Sequence, residues 1–376
     1  MTVKPAWPVF PLGSVVELQR GFDLPINKRS HGSVPVVGAS GVIGKHSQEA
    51  VEGPGVTLGR AGAMGVATYV PCDFWPLNTT LFVTDFLGND RKFIYYLLHN
   101  MDFSGYNSGA VQPMLNRNYI RDIPVPLPSY SEQQAIAEVL GVLDDKMAAN
   151  ERIAETALAL AKARMEVVEL AEPMCVSDVA EVFDGPHATP KKTTEGPWFL
   201  SISSLKGGVL DLAESAHLTE EDFPRWTRRV QPSKGDVLFS YETRLGEAAL
   251  MPPDVRASLG RRMGLLRPKH GAVKSVLLLH AYLSPPFQEE IRRRTVHGAT
   301  VDRIPLKEMP TWPITLPAVG VRDQLSAALE ALHASIDQVA VENRTLADLR
   351  NTLLPQLVTG KIRVKDAVRV VEKVAS

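Results

Sequence analysis

Arginine is the residue type whose placement in this chain could do chemistry. Arg225, Arg228 and Arg229 flank Trp226, Arg261 and Arg262 follow a glycine, and Arg292, Arg293 and Arg294 end a predicted helix. A guanidinium is a planar fork of donors that matches a phosphate, or the O6/N7 edge of guanine, two-pronged. Such clusters suit nucleic acid, although a solvated charged face would look the same. Glycine-rich turns carry a second set. Arg60 lies between Gly59 and Ala61-Gly62, in a turn that parallels the one with Arg244. Gln112 follows Ser108-Gly109-Ala110-Val111, and Arg303 follows Gly298-Ala299-Thr300. Glycine there would let backbone approach a ligand closely, with Gln and Arg reaching base edges. A structural turn with an exposed polar residue is the competing view. These twelve residues are the candidate nucleic-acid contacts.

Catalytic patterns are tested and mostly refused. No Gly-Lys-Ser/Thr phosphate loop occurs, and no carboxylate pair with a lysine resembles a Mg²⁺-binding nuclease core. The nine histidines, His31, His46 and His187 among them, lack metal-ligand spacing and read as surface or loop residues. Ser284-Pro285-Pro286-Phe287 has the form of the loop with which N4-cytosine-type amino-methyltransferases hold a flipped base. That chemistry also needs a Gly-rich turn between a strand and a helix. The nearest candidate, Gly38-Ala39-Ser40-Gly41-Val42-Ile43-Gly44, has the wrong pattern. Ser284–Phe287 therefore reads as a junction between two helices, with Pro286 starting the second. No catalytic residue, metal site or cofactor is assigned to the chain.

The 376 residues suffice for two ordinary domains, and 44% hydrophobic with 22% charged residues is normal for a soluble protein. Cys72 and Cys175 lie in different halves and suggest neither a disulfide framework nor a zinc site. With no signal-like start and no membrane-length apolar run, a cytoplasmic location is expected. A net charge of −1 argues against coating nucleic acid by charge alone. Its distribution is uneven. Residues 1–128 carry ten basic against nine acidic side chains, 129–173 four against nine, 174–317 nineteen against 17, and 318–376 eight against seven.

The elements that must position these residues centre on two long heptad helices. Ile136, Leu140, Leu143, Met147, Asn150, Ala154, Ala157, Ala161, Arg164 and Val168 alternate four and three apart between about Ser131 and Leu170. Leu325, Leu329, Leu332, Ile336, Val339, Asn343, Leu346, Arg350 and Leu353 repeat this from about Val321 to Leu354. That spacing is the a/d seam of a coiled coil, and Ser131 with Gln134 offers a capping box. Two bundle helices are the plainer reading. Polar Asn in both seams, and a globular segment before each, favour an antiparallel coiled coil holding two domains apart. The halves also repeat in order. Leu12–Leu18 resembles Val176–Val182, Gly55-Val56 with Gly65 matches Asp236-Val237 with Gly246, and Ser108-Gly109-Ala110 recurs as His297-Gly298-Ala299. Ile123–Pro128 likewise recurs as Trp312–Pro317. Strands are predicted at Val34–Val37, Val56–Leu58, Leu81–Val83, Phe199–Ser203 and Val237–Ser240, and helices at Arg91–Asn100 and Val273–Leu283. The fold class is α/β (α+β), with mostly antiparallel sheets. Its segments are a first globule (1–128), a central helix (129–173), a second globule (174–317) and a distal helix with tail (318–376).

Leu127-Pro128-Ser129-Tyr130-Ser131-Glu132-Gln133-Gln134-Ala135-Ile136-Ala137, with Leu143-Asp144-Asp145-Lys146-Met147, resembles the central conserved region of type I restriction-modification specificity subunits. Leu349–Ile362 resembles their distal conserved region. One departure is Val321-Arg322-Asp323-Gln324, where the first helix has Glu-Gln-Gln. The resemblance implies that each globule is a target-recognition domain reading one half of a bipartite, asymmetric site on double-stranded DNA. It implies that the helices set the half-site spacing and dock two methyltransferase subunits, which bring S-adenosylmethionine. A restriction subunit using ATP and Mg²⁺ would complete the assembly. Glu132, Gln133, Gln134, Asp144, Asp145, Lys146, Asn150, Asn351 and Gln356 are the candidate partner face. A freestanding amino-methyltransferase using Ser284–Phe287, or a bipartite scaffold without a DNA role, are the alternatives.

Overall fold

The computed structural model describes residues 7–106, 114–298 and 301–375. The chain divides into two compact units. The first joins Met1–Ala149 to Asn343–Ser376, and the second is Asn150–Glu342. The division cuts both long helices in mid-course, so each unit owns a globule and one end of the helix pair.

The first globule contains β1 (Glu17–Arg20), β2 (Val34–Gly38), β3 (Gly41–His46), β4 (Gly55–Gly59), β5 (Ala67–Val70), β6 (Trp75–Pro76), β7 (Thr80–Asp85) and α1 (Arg91–Asn100). The first long helix, α2 (Tyr130–Glu166), follows. In the second globule are β8 (Ala180–Asp184), β9 (Thr193–Phe199), β10 (Ala216–His217), α3 (Phe223–Trp226), β11 (Val237–Ser240), β12 (Ala248–Leu250), β13 (Ala257–Ser258), β14 (Met263–Pro268), α4 (Ser275–Leu283) and α5 (Pro285–Arg294). The long α6 (Val319–Val358) and a short α7 (Val364–Ala375) end the chain.

The two globules share one plan. A four-stranded antiparallel sheet has order β1-β7-β4-β5 in one and β8-β14-β11-β12 in the other. A smaller sheet pairs β3-β2-β6 and β10-β9-β13, with β2·β6 and β9·β13 parallel. A helix, α1 or α4, follows the last strand of each large sheet. Its apolar residues (Phe93, Ile94, Leu97 and Leu98; Leu278, Leu279 and Tyr282) fill the core. β4 and β11 sit mid-sheet and are buried along their whole length, as a central strand covered on both faces must be. Strand β9 stops at Phe199, so the strand expected through Ser203 is wrong. Residues Ile202–Ser204 form a 3-10 turn in which the Ser201 side chain accepts from Ser203 N, and serines favour such local bonds.

The long helices pack antiparallel, 37 and 40 residues in length. In the first unit Arg350 Nη1 donates to Asp144 Oδ1 at 2.9 Å, and Asn343 Nδ2 to the Met147 carbonyl at 3.2 Å. In the second, Asn150 Nδ2 donates to Glu342 Oε2 at 2.8 Å, and Ala161 packs with Leu325 and Leu329. These are seam residues, as the heptads require. The ends differ from expectation. α2 starts at Tyr130 with Ser129 before it, and Ser131 forms no capping box. It stops at Glu166, because Leu170 and Ala171 pair with Pro317 and Leu316 in a short β connection. α6 runs on to Val358 with Pro355 inside it.

Each globule is joined to its helix at an equivalent point. The sixth residue of α1, Tyr96, donates to Oδ2 of the fifteenth residue of α2, Asp144, at 2.6 Å. The sixth residue of α4, His280, meets the fifteenth of α6, His333, with their Nε2 atoms 3.0 Å apart. Both imidazoles are buried, as is His46, so these three are not surface histidines. Centroids 5.2 Å apart put the two Nε2 atoms nearly in line, the geometry of one shared proton. The residue matching Arg350 in the helix repeat is Ala161, and a 610 Å³ cavity beside it is lined by Leu158, Lys162, Met165, His280 and Pro286.

Candidate nucleic-acid interface

Sheet register gives the two units equivalent residues. In the first unit Arg20 stands opposite Leu81, itself opposite Leu58. In the second, Asp184 stands opposite Gly264, itself opposite Phe239. Arg20 and Asp184 thus occupy the same point at the end of the first sheet strand, and a glycine follows each. Two residues beyond Leu58 and Phe239 come Arg60 and Tyr241. The turns there match in backbone form, with positive φ at Gly62 and Gly65 and at Thr243 and Gly246. Ala61 then bridges Met114, and Glu242 bridges Arg303, both antiparallel.

In each unit a cleft opens beside the end of the first sheet strand, at Arg20 in the first and at Asp184 in the second. The first, 460 Å³, is lined by Gln19, Arg20, Arg60, Met114, Asn116 and Arg117. Arg60 is spent on the protein, since Nη1 donates to the Asn78 carbonyl at 3.2 Å and Nη2 lies 2.9 Å from Met114 Sδ. Burial, and then the Arg20 charge, lower its pKa. Arg117 donates to the Leu18 carbonyl at 3.0 Å. Among the described residues no carboxylate lines this cleft.

The second cleft, 390 Å³, is lined by Asp184, His187, Arg225, Trp226, Arg228 and Arg229. Asp184 Oδ2 receives Arg229 Nη1 at 3.0 Å and lies 3.0 Å from His187 Nε2. Burial, and after it the Asp184 charge, push the Tyr241 hydroxyl pKa up. Arg225 and Arg228 are exposed. The same position in the fold therefore presents unlike chemistry in the two units.

Other sequence candidates fall elsewhere. Arg244 pairs with Glu247 at 3.4 Å, and Arg262 with Glu242 at 2.9 Å. Arg292 pairs with Glu289, while Arg293 and Arg294 both pair with the buried Glu290. Arg294 also lies over the Trp312 ring, so this triplet is engaged within the fold. Arg261 and Arg303 are exposed, and Gln112 lies outside the described residues. Sequence reasoning missed Arg20, Arg117, Asp184 and His187. Extending the match of Leu12–Leu18 with Val176–Val182 by two residues would have found Arg20 and Asp184.

The expected partner face needs correction at three points. Gln133 is buried, donating to Asn89 Oδ1 and the Pro128 carbonyl and accepting from Asp90 N. Asn150 is buried in the seam. Asp144 is tied to Tyr96 and Arg350. None of the three can offer an exposed polar face. Gln134, Asp145, Lys146 and Asn351 are exposed, whereas Glu132 and Gln356 are half-buried.

Ser284 caps a helix junction, its Oγ donating to the Ala281 carbonyl at 2.6 Å, and Phe287 is buried against Tyr282 and Trp312. The helix that follows starts at Pro285, one residue before the expected Pro286. Gly38–Gly44 is the turn of the β2–β3 hairpin rather than a strand-to-helix loop.

Comparison with known proteins agrees with this plan. Residues 5–158 match the type I restriction modification DNA specificity domain. The chain is 23% identical over 258 residues to S.HindORF215P of Haemophilus influenzae, assigned as a type I restriction enzyme specificity subunit. That match spans 64% of this chain and 66% of the relative. It is 21% identical over 330 residues to the type I restriction enzyme MjaIX specificity subunit of Methanocaldococcus jannaschii, spanning 77% of this chain and 74% of that one. The fold is that of the type I restriction-modification S subunit from M. genitalium, with a TM-score of 0.61 at 15% identity over 94% of this chain and 96% of the other. Residues 5–158 thus match a type I specificity domain, most of the chain is similar to type I specificity subunits, and the fold is that of an S subunit.

Proposed function

We propose that the chain selects the DNA sequence on which a type I methyltransferase acts, each unit reading one half of a bipartite, asymmetric site. The supporting observation is a pair of clefts that share one point of a common fold plan, Arg20 in one unit and Asp184 in the other, and are otherwise lined by different side chains. One plan presents both readers to DNA in the same way, and unlike linings let them recognise different bases. The antiparallel helix pair supplies the stiff element that such a reader needs. Half-sites on one face of B-DNA lie a helical turn, about 34–36 Å, or a multiple of it apart.

In this reading the subunit is non-catalytic. Its Ser284–Phe287 segment has its hydroxyl and ring committed to internal contacts, which disfavours the amino-methyltransferase alternative. S-adenosylmethionine would come with two methyltransferase subunits, and ATP with Mg²⁺ would be used by a restriction subunit. Exposed acidic and apolar residues of the helices, Asp145 and Val142 in the first unit and Ile153 and Leu160 in the second, are the docking candidates.

The test is to express the chain with its methyltransferase and map methylated bases across a genome. A two-part asymmetric motif with a fixed gap is expected. A single short motif, or methylation independent of this chain, sinks the reading.

A further inference from the structure

We propose that in each unit the base-reading group is a guanidinium flanked by a carboxylate at the end of the first sheet strand. It is Arg20 beside Asp23 in the first unit and Arg229 moored on Asp184 in the second, each addressing the O6/N7 edge of a guanine. This rests on the DNA-reading role proposed above and specifies its chemistry.

The register places Arg20 and Asp184 at one point of the fold, yet with opposite charge. Taken alone, the second unit would turn a carboxylate toward DNA there. A longer connection compensates. Between the small sheet and the central strand the first unit uses residues 47–54, whereas the second uses 218–236 and builds α3 within them. That segment delivers Arg229, whose Nη1 donates to Asp184 Oδ2 at 3.0 Å and to the Gly185 carbonyl at 2.9 Å. A cation thus returns to the same place from a different stretch of chain. Among the described residues only Nη1 is engaged, which leaves Nη2 and Nε as the two parallel donors that guanine's O6 and N7 accept. In the first unit Arg20 Nη2 stands 3.8 Å from Asp23 Oδ1, beyond hydrogen-bond reach, so its fork is also unspent. Asp23 in turn accepts from Asn78 Nδ2. Both arginine side chains are about half exposed, at 54% and 53%.

The flanking carboxylates select the ligand. A carboxylate within 4 Å of a guanidinium repels a phosphate that approaches it. It repels the uncharged acceptor edge of a base far less than it repels a phosphate, and it fixes the direction of the fork. The other arginines of the clefts sort the opposite way. Arg117 donates to a backbone carbonyl, and Arg225 and Arg228 have no carboxylate partner among the described residues. These suit phosphates. Arg60, spent on Asn78 and Met114, is a positioning residue that closes the cleft floor.

The experiment uses the full complex with its methyltransferase and reads the methylated motif together with the salt dependence of binding. Arg20→Ala and Arg20→Lys should both relax one guanine position of one half-site, by roughly 10- to 100-fold in discrimination, and leave the other half-site intact. Lysine keeps the charge and loses the fork, so it separates base reading from charge. Asp184→Asn and Arg229→Lys should relax one guanine of the opposite half-site. In every variant the untouched half-site reports that the protein is folded. Arg117→Ala and Arg225→Ala should weaken all sequences alike and lower the salt slope by about one. Wild-type discrimination by Arg20→Lys, uniform weakening by Arg20→Ala, or a half-site lacking guanine overturns the assignment while the DNA-reading role stands. A wild-type complex that methylates no bipartite motif overturns both.

Discussion

Asp144 shows how a polar residue on a helix face can be structural. Its carboxylate accepts from Tyr96 at 2.6 Å and from Arg350 at 2.9 Å with a quarter of the side chain exposed. The adjacent Asp145 is 76% exposed and sits 3.6 Å from Lys92. Breaking a half-buried pair leaves the partner charge poorly compensated, so Asp144→Lys should cost about 2 kcal/mol, less than a fully buried pair would, read as a lowered denaturant midpoint. Asp145→Lys should leave that midpoint within about 0.5 kcal/mol, because surface pairs contribute little, and should reduce co-purification of the methyltransferase. Equal midpoints for the two variants would show that the Tyr96–Asp144–Arg350 contacts carry no stability. The arginines teach the same lesson. In sequence Arg292, Arg293 and Arg294 look like the densest cationic patch, but Glu289 and Glu290 lie one turn back on the same helix and take them up.

At the scale of elements, the joints between each globule and its long helix are equivalent in place and opposite in chemistry. The first is a charged network, the second a neutral imidazole pair. Burial lowers the pKa of His280 and His333 to about 4, with His333 adding to the effect on His280. A depressed folded-state pKa means that the unfolded chain binds these protons first. The contribution is fully present above about pH 6.5 and is lost as pH falls through about 4. The slope approaches about 1.4 kcal/mol per pH unit for each imidazole. The charged groups sharing the cavity with His280 are Glu155, Lys162 and Glu166, all on α2. Urea unfolding between pH 7 and 4.5 should therefore show a stability loss that His280→Phe with His333→Leu flattens. A parallel loss in that double variant would place the acid sensitivity elsewhere.

For the whole molecule, the first unit is assembled from both ends of the chain. Leu346, Leu353, Leu354, Leu357 and Val358 of α6, with Ala367 of α7, are buried in the core that α1 and the large sheet build. Each fully buried side chain of that size contributes roughly 1.5–3 kcal/mol, and a domain's net stability is about 5–15 kcal/mol. A chain truncated after Glu342 should thus lose the first unit although every strand of its globule remains. Residues 7–106 should become protease-sensitive while 174–317 stay protected. Protection of both regions would show that the first globule folds without its distal helix.

Some of this was legible in residue order alone, because it depends on local periodicity. The heptad seams, helix Arg91–Asn100, the central strands and the ordered repeat are written in spacings of 3.5, 3.6 and two residues, which any reader of the chain can count. The family resemblance rested on contiguous motifs of the same kind. What the tertiary structure decided is which polar groups meet. Asp144 with Arg350, His280 with His333 and Asp184 with Arg229 lie 206, 53 and 45 residues apart. No local pattern encodes such a meeting. Whether an arginine is spent on a carboxylate or left with its fork open depends on a neighbour that only folding supplies.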